Sequence, residues 1–230
     1  NFRSFRVMDS LDLFFMHNGF IMFGPYSTMT TMRENIRFLW EIQRSFHFPN
    51  LDCTLICTPG AAIHDHMLQE GRLLPRENFW ECPAYEFGDP RILALAKHYM
   101  GLRAIYPHTH SGDSSLITAQ NIMSRFRNKM NKQVAQDCAA EISEFEKIFY
   151  RNKKILNDLG YQGFLDSVNR IEKDGPDARL DPDPYFGKPW ADSIVSVESG
   201  YQVLINSIQA KGFGLGGLVY DAQNTAWSLA

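Results

Sequence analysis

Two apolar spacings alternate along this chain, and each change from one to the other marks an element. Residues 11–23 (LDLFFMHNGFIMF) are dense in aromatic and β-branched side chains. Within them Gly19-Phe20-Ile21-Met22-Phe23 is apolar throughout, the pattern of a strand buried on both faces. Gly24-Pro25 ends it. Ser27 or Thr28 can then cap a helix in which Met32, Ile36, Leu39 and Trp40 recur at helical spacing until Phe46. After the break at Pro49-Asn50, residues 51–57 (LDCTLIC) read as a second strand, closed by Thr58-Pro59-Gly60. Ile63, Met67 and Leu68 predict a short helix before Gly71. Strand, helix, strand and helix with short connections are the signature of a parallel sheet covered by helices.

The pattern then changes. Pro75, Pro83 and Pro90 make residues 72–92 a poor setting for long regular elements. From Asp113-Ser114 to Leu159 there is neither Pro nor Gly. Ile122, Phe126, Met130, Val134, Cys138, Ile142, Phe145, Phe149 and Leu156 keep to one side at helical steps. This predicts one very long amphipathic helix, or two meeting near Asn131, interrupted by Gly160 and Gly163. Phe164, Val168 and Ile171 continue a shorter helix, and residues 174–189 (DGPDARLDPDPYFGKP) form a loop. Ile194, Val197, Tyr201, Leu204, Ile205 and Ile208 define a last helix before a glycine-rich tail. The reading is α/β followed by mostly α, with an α/β part over 1–105 and a helical part over 106–230.

Composition narrows the function classes. The chain has 230 residues, 44% hydrophobic, with 17 Phe and a net charge of -3, which excludes a disordered chain. Twenty-three basic against 26 acidic residues argue against a nucleic-acid footprint. No apolar run approaches the ~18 to 20 residues that span a bilayer, and the start, NFRSFRVMDS, does not lead into a signal-peptide core. Four cysteines fit a reducing cytoplasm better than a disulfide scaffold.

Three stretches carry a resemblance. Residues 19–28 (GFIMFGPYST), followed by 32–39 (MRENIRFL), are similar to a strand–turn–helix written GFIMFDPETT and RENLEFL. Residues 55–60 (LICTPG) and 67–74 (MLQEGRLL) look like LTPYPGTPLYERLKEEGRLL, and residues 85–91 (YEFGDPR) look like YxFxDPR. These are elements of the radical S-adenosylmethionine superfamily, in the branch carrying a cobalamin-binding domain, and their order here is the family's order. The resemblance covers roughly residues 10–100. It implies the C-terminal strands of a partial (β/α) barrel plus a helical C-terminal extension. It also implies a cobalamin-dependent methyltransferase or a related radical-mediated modifying enzyme.

In that family a CxxxCxxC motif holds a four-iron four-sulfur cluster through three thiolates, leaving one iron to bind S-adenosylmethionine. The motif is not in this sequence. Cys53 and Cys57 have the first spacing, but Gly60 stands at the third position, and both read as buried small hydrophobes. The chain, which does not begin with Met, is therefore read as the C-terminal part of such an enzyme. Its partner would be the upstream portion that carries the cluster and cobalamin, and neither cofactor nor S-adenosylmethionine is expected to bind this part firmly. Two barrel strands without their neighbours leave an open edge, which predicts self-association or repacking on the long helix. The alternative is a non-catalytic helical interaction or substrate-recognition module.

The resemblance points at Gly19, Phe20, Ile21 and Phe23 on the first segment, and at Ile56, Cys57 and Thr58 on the second, as contacts of the adenosine part. The pattern alone reads the same residues as core. Where the family has Asp and Glu, this chain has Gly24 and Tyr26, and so departs from the family's pattern at both carboxylates.

Other constellations weigh less. His64 and His66 would point about 200° apart on a helix. His108 and His110 with Asp113 share a side only if extended. Residues 212–217 (GFGLGG) hold the letters of a dinucleotide fingerprint but follow a helix, and a dinucleotide site is rejected.

Overall fold

The computed structural model describes residues 3–5, 7, 19–75, 85–127 and 132–213. The expectations for residues 11–18, Cys82, Asn131 and the tail after Phe213 lie outside them. Among the described residues the fold is helical. In chain order the helices are α1 (Met29–Glu41), α2 (Phe48–Asp52), α3 (Ala62–Gln69), α4 (Pro90–Ile105), α5 (His108–Arg127), α6 (Lys132–Asp137), α7 (Ala139–Asp174), α8 (Asp183–Phe186) and α9 (Lys188–Ala210).

The expected sheet is not there. Among the described residues no strand forms, so the α/β reading and the partial barrel are overturned. What remains of the pairing is a parallel bridge, Phe23 to Thr54, and an antiparallel one, Leu73 to Tyr85. The reason is where the apolar side chains go. Phe23 is fully buried, but against Phe164 of α7, at 6.0 Å between ring centres, so a helix covers it. The predicted second strand loses its start to α2, where Pro49 occupies the first turn, a place in which its missing N–H costs nothing.

α1 begins where the sequence says. Thr28 and Thr31 exchange side-chain to backbone hydrogen bonds of 3.2 and 2.7 Å in a reciprocal cap, and Met29, Met32, Ile36 and Leu39 face the core. It ends at Glu41 rather than Phe46. Gln43, at φ 53°, turns the chain, and Trp40 is 39% exposed.

α4 falls in a stretch where no helix was read. Its signals are local: Asp89 accepts from the Arg91 N–H at 2.9 Å, Pro90 opens the first turn, and Ile92, Leu95, Tyr99 and Leu102 are buried at helical spacing.

α7 runs past its predicted end at Leu159 to Asp174, because Gly160 and Gly163 do not interrupt it. Glycine in a helix interior costs about 1 kcal/mol, and contact offsets it here. A Cβ on Gly160 would lie 2.1 Å from the Ser45 carbonyl oxygen, and one on Gly163 would lie 2.9 Å from the Tyr185 and Phe186 side chains.

One apolar core joins Met22 and Phe23 to α1, α4, α7 and α9. At its centre the Tyr99 ring lies 4.7 Å from Phe164 and 5.9 Å from Phe186. A smaller cluster holds Cys57, Met67 and Tyr85. Among the described residues no helix is long and apolar enough to cross a membrane.

Candidate functional site

The two motif-bearing segments lie side by side. The Met22 and Phe23 N–H groups both donate to the Cys53 carbonyl at 3.0 Å, and the Leu55 N–H donates to the Phe23 carbonyl at 2.8 Å. α1 secures the first segment, since the Asn35 carboxamide donates to the Met22 carbonyl at 3.1 Å. The turn after it is tied by Ser27, whose hydroxyl accepts from the Gly24 N–H at 2.9 Å. A parallel pair needs a crossover, and α1 with α2 supplies it.

The seven residues assigned from sequence divide into three groups. Ile21 and Ile56 are 46% and 54% exposed, and Gly19 and Thr58 are exposed with them. Phe20 is half-buried and stacks on Phe38 of α1, at 5.7 Å between ring centres. The side chains of Phe23 and Cys57 are interior, one in the main core and one in the small cluster. Those two can offer a ligand only their backbone.

Beside this pair lies a polar junction that sequence reasoning missed. Arg72 sends its guanidinium back to the turn, donating to the Pro25 carbonyl at 2.9 Å and to the Glu86 carbonyl at 2.6 Å. It also lies over the Tyr26 ring, 4.8 Å from its centre, and 3.3 Å from Glu70. The Tyr26 hydroxyl donates to the same Glu70 carboxylate at 2.8 Å, and His66 faces Glu70 at 3.2 Å. The Gly88 N–H completes the knot on the Pro25 carbonyl at 3.0 Å.

Desolvation and the Glu70 carboxylate raise the Tyr26 pKa. The Tyr26 hydroxyl holds Glu70 below its ordinary range. Tyr26, where the resemblance has a Glu, thus carries a neutral donor in place of an anion. Tyr26 and Glu70 lie 44 residues apart, Pro25 and Arg72 47 apart, and Pro25 and Gly88 63 apart, so no local spacing announces these contacts.

Among the described residues the cysteines are not placed to hold a four-iron four-sulfur cluster. Cys53 and Cys57 sit four positions apart on extended backbone, which separates them by about 13 Å at 3.3 Å per residue. Cys57 is 2% exposed, and Cys138 is fully buried beside α7, where burial raises its thiol pKa. Exposed Ile21 and Ile56 flank the paired backbone.

Among the described residues no three His, Cys, Asp or Glu side chains converge on a metal-sized site. His64 approaches Asp65 at 3.2 Å. His108 opens α5 and bonds the Phe186 carbonyl at 2.7 Å, so its segment is helical rather than extended.

No protein-family model, curated protein or solved structure matches this chain.

Proposed function

We propose that this chain is the C-terminal portion of a cytoplasmic radical S-adenosylmethionine enzyme, a cobalamin-dependent methyltransferase or a related radical-mediated modifying enzyme. One observation carries the reading. The two segments that resemble consecutive family elements lie parallel and adjacent, bridged at Phe23 and Thr54, 31 positions apart in sequence, with Ile21 and Ile56 exposed along them. On this reading the upstream portion of the enzyme holds the cluster and cobalamin. This chain's part is to receive the adenosine end, through apolar contact from Ile21 and Ile56 and through backbone groups at Gly19 and Thr58. S-adenosylmethionine, once reductively cleaved, supplies the radical that abstracts hydrogen. No residue described here handles that step.

The reading is tested upstream. A CxxxCxxC motif encoded within about 150 residues before Asn1 is the expected finding, and an unrelated upstream sequence would overturn it. In the complete enzyme, Ile21→Asp and Ile56→Asp should each weaken S-adenosylmethionine binding about tenfold, or 1.4 kcal/mol, with the cluster's absorbance unchanged.

A second reading, a helical interaction or substrate-recognition module, is favoured by the shared core. Met22 and Phe23 are packed with α7 and α9 as parts of one helical body. It predicts that both Asp variants leave S-adenosylmethionine binding untouched.

A further inference from the structure

The segment after α7 builds a second cleft, on α7 rather than on the paired segments. Asp166, Arg170 and Lys173 recur along one stripe of α7 at intervals of three and four. The chain reverses at Gly175, whose φ of 90° suits glycine, and runs back along the helix to Tyr185. Arg179, Leu180 and Tyr185 thereby form the opposite wall of a cleft of about 500 Å³, a volume within the range of small-molecule sites.

The returning wall is anchored along its length. The Ala178 N–H donates to the Gly175 carbonyl at 3.1 Å, and Leu180 packs on the core. The Tyr106 hydroxyl donates to Asp183, and the Tyr185 hydroxyl donates to Asp166 across the cleft. Gly163 lets Tyr185 lie flat against α7, since a Cβ there would stand 2.9 Å from its ring.

The charges of the cleft are unequally committed. Asp166 already accepts from Tyr185, and Asp181 accepts from the Asp183 N–H at 3.3 Å. Arg170 is paired with Asp174 at 2.6 Å. Lys173 and Arg179 line the cleft and make no hydrogen bond or ion pair with any described residue. Lys173 also suits the C-terminal end of a helix dipole, which accounts for a lysine there. Nothing of that kind accounts for Arg179, which stands on the loop.

We propose that this cleft binds a small phosphorylated metabolite. Lys173 and Arg179 take its phosphoryl oxygens, and Leu180 and the Tyr185 ring take its apolar or planar body. Arginine presents a planar fork to phosphate and lysine a point charge, so together they favour a dianion. The site is separate from the paired segments, and its failure leaves the proposed function where it was.

Titration of the full chain with inorganic phosphate and with phenyl phosphate, followed by amide chemical shifts, tests the assignment. Both probes should saturate, with shifts centred on Arg170, Lys173, Arg179 and Tyr185, and phenyl phosphate should bind about tenfold tighter. The Lys173→Gln/Arg179→Gln double variant, both side chains being exposed, should keep the wild-type circular dichroism and lose binding of both probes about tenfold or more. Leu180→Ser should remove only the advantage of phenyl phosphate. Absence of saturation by either probe at about 10 mM, a binding too weak to matter, would overturn the proposal. So would unchanged affinity in the double variant, or shifts centred elsewhere.

Discussion

Gly160 of α7 and Ser45 of the α1–α2 connection are in backbone contact, so close that a methyl on Gly160 would stand 2.1 Å from the Ser45 carbonyl oxygen. Backbone cannot step aside as a side chain can. Gly160→Ala should therefore destabilise the fold by about 3 kcal/mol, the upper end for overpacking. Gly101, inside α4 with nothing within 4 Å of a would-be Cβ, is the control. Gly101→Ala should stabilise by about 0.5–1 kcal/mol. Urea denaturation of the two variants checks both signs, and equal effects would contradict the contact.

Asn157 clasps the same connection. Its Oδ1 accepts from the Ser45 N–H at 3.0 Å and the Ser45 hydroxyl at 2.7 Å, while its Nδ2 donates to the Trp40 carbonyl at 3.1 Å. The residue is 4% exposed. Asn157→Ala strands the buried Ser45 N–H, while the Trp40 carbonyl keeps the Gln43 N–H at 3.0 Å, and should cost about 1–3 kcal/mol. Asn157→Asp removes the donor and adds a buried charge, so it should be no better than Ala at pH 7. A stability for Asp near wild type would refute the hydrogen-bond assignment.

Arg72 holds residues 85–88 to the turn at Pro25. Replacing it with Met keeps the apolar stem and removes the donors to the Pro25 and Glu86 carbonyls. Hydrogen exchange at the Gly88 amide, which bonds Pro25 at 3.0 Å, should quicken about tenfold or more, from loss of charge-assisted bonds of about 1.5–3 kcal/mol. Unaltered exchange at Gly88 would show that Tyr85 in the small cluster anchors the segment by itself.

His98 is half-buried on α4 with its ring 5.3 Å from Tyr99, and burial lowers its pKa to about 4 from 6.5. A depressed pKa means that the unfolded chain binds the proton first. Stability from this group is present above pH 6.5 and is lost as the pH falls towards 4. The loss is about 3 kcal/mol at 1.36 kcal/mol per pH unit. Glu172, held low by Arg33, and Glu70, held low by Tyr26, lose their contributions in the same direction. His98→Gln isolates the histidine, and its urea midpoint should fall less steeply between pH 6.5 and 4. Parallel curves for the two proteins would show that His98 carries no such linkage.

The exposed pair Ile21 and Ile56 should make the chain, taken alone, self-associate. Light scattering across a dilution series should give a mass that falls with concentration. Ile21→Lys/Ile56→Lys should give a monomer throughout, and a monomeric wild type would remove the claim.

Several helix positions were legible from a pattern with one polar side, although α4 was not. Thr28 caps α1, Met67 marks α3, and Ile194, Val197, Leu204 and Ile208 face inward on α9, because amphipathic spacing is a local record of which face is dry. On the surface of α1 the Arg37 side chain bonds Glu41 at 2.8 Å, a contact between near neighbours one helical turn apart. The wholly apolar runs were not legible. Residues 19–23 look the same whether sheet neighbours or helices cover them, and here Phe164 and Phe38 do so. The two glycines of α7 misled, since glycine signals a break by its flexibility and a close approach by its missing side chain. Nothing within the α7 segment tells which applies.

The sequence by itself determined which stretches are amphipathic, where their caps stand, and that the apolar runs before Gly24-Pro25 and Thr58-Pro59-Gly60 end at those turns. These are matters of near neighbours, decided by spacing and backbone preference. The tertiary structure decided that the extended segments meet at one bridge and not in a sheet, that α7 continues through Gly160, and that Arg72 ties Pro25 to Glu86. It also decided that Lys173 and Arg179 share a cleft. Each of these is a contact whose energy depends on which distant surface arrives to exclude water, and chain spacing holds no record of that arrival.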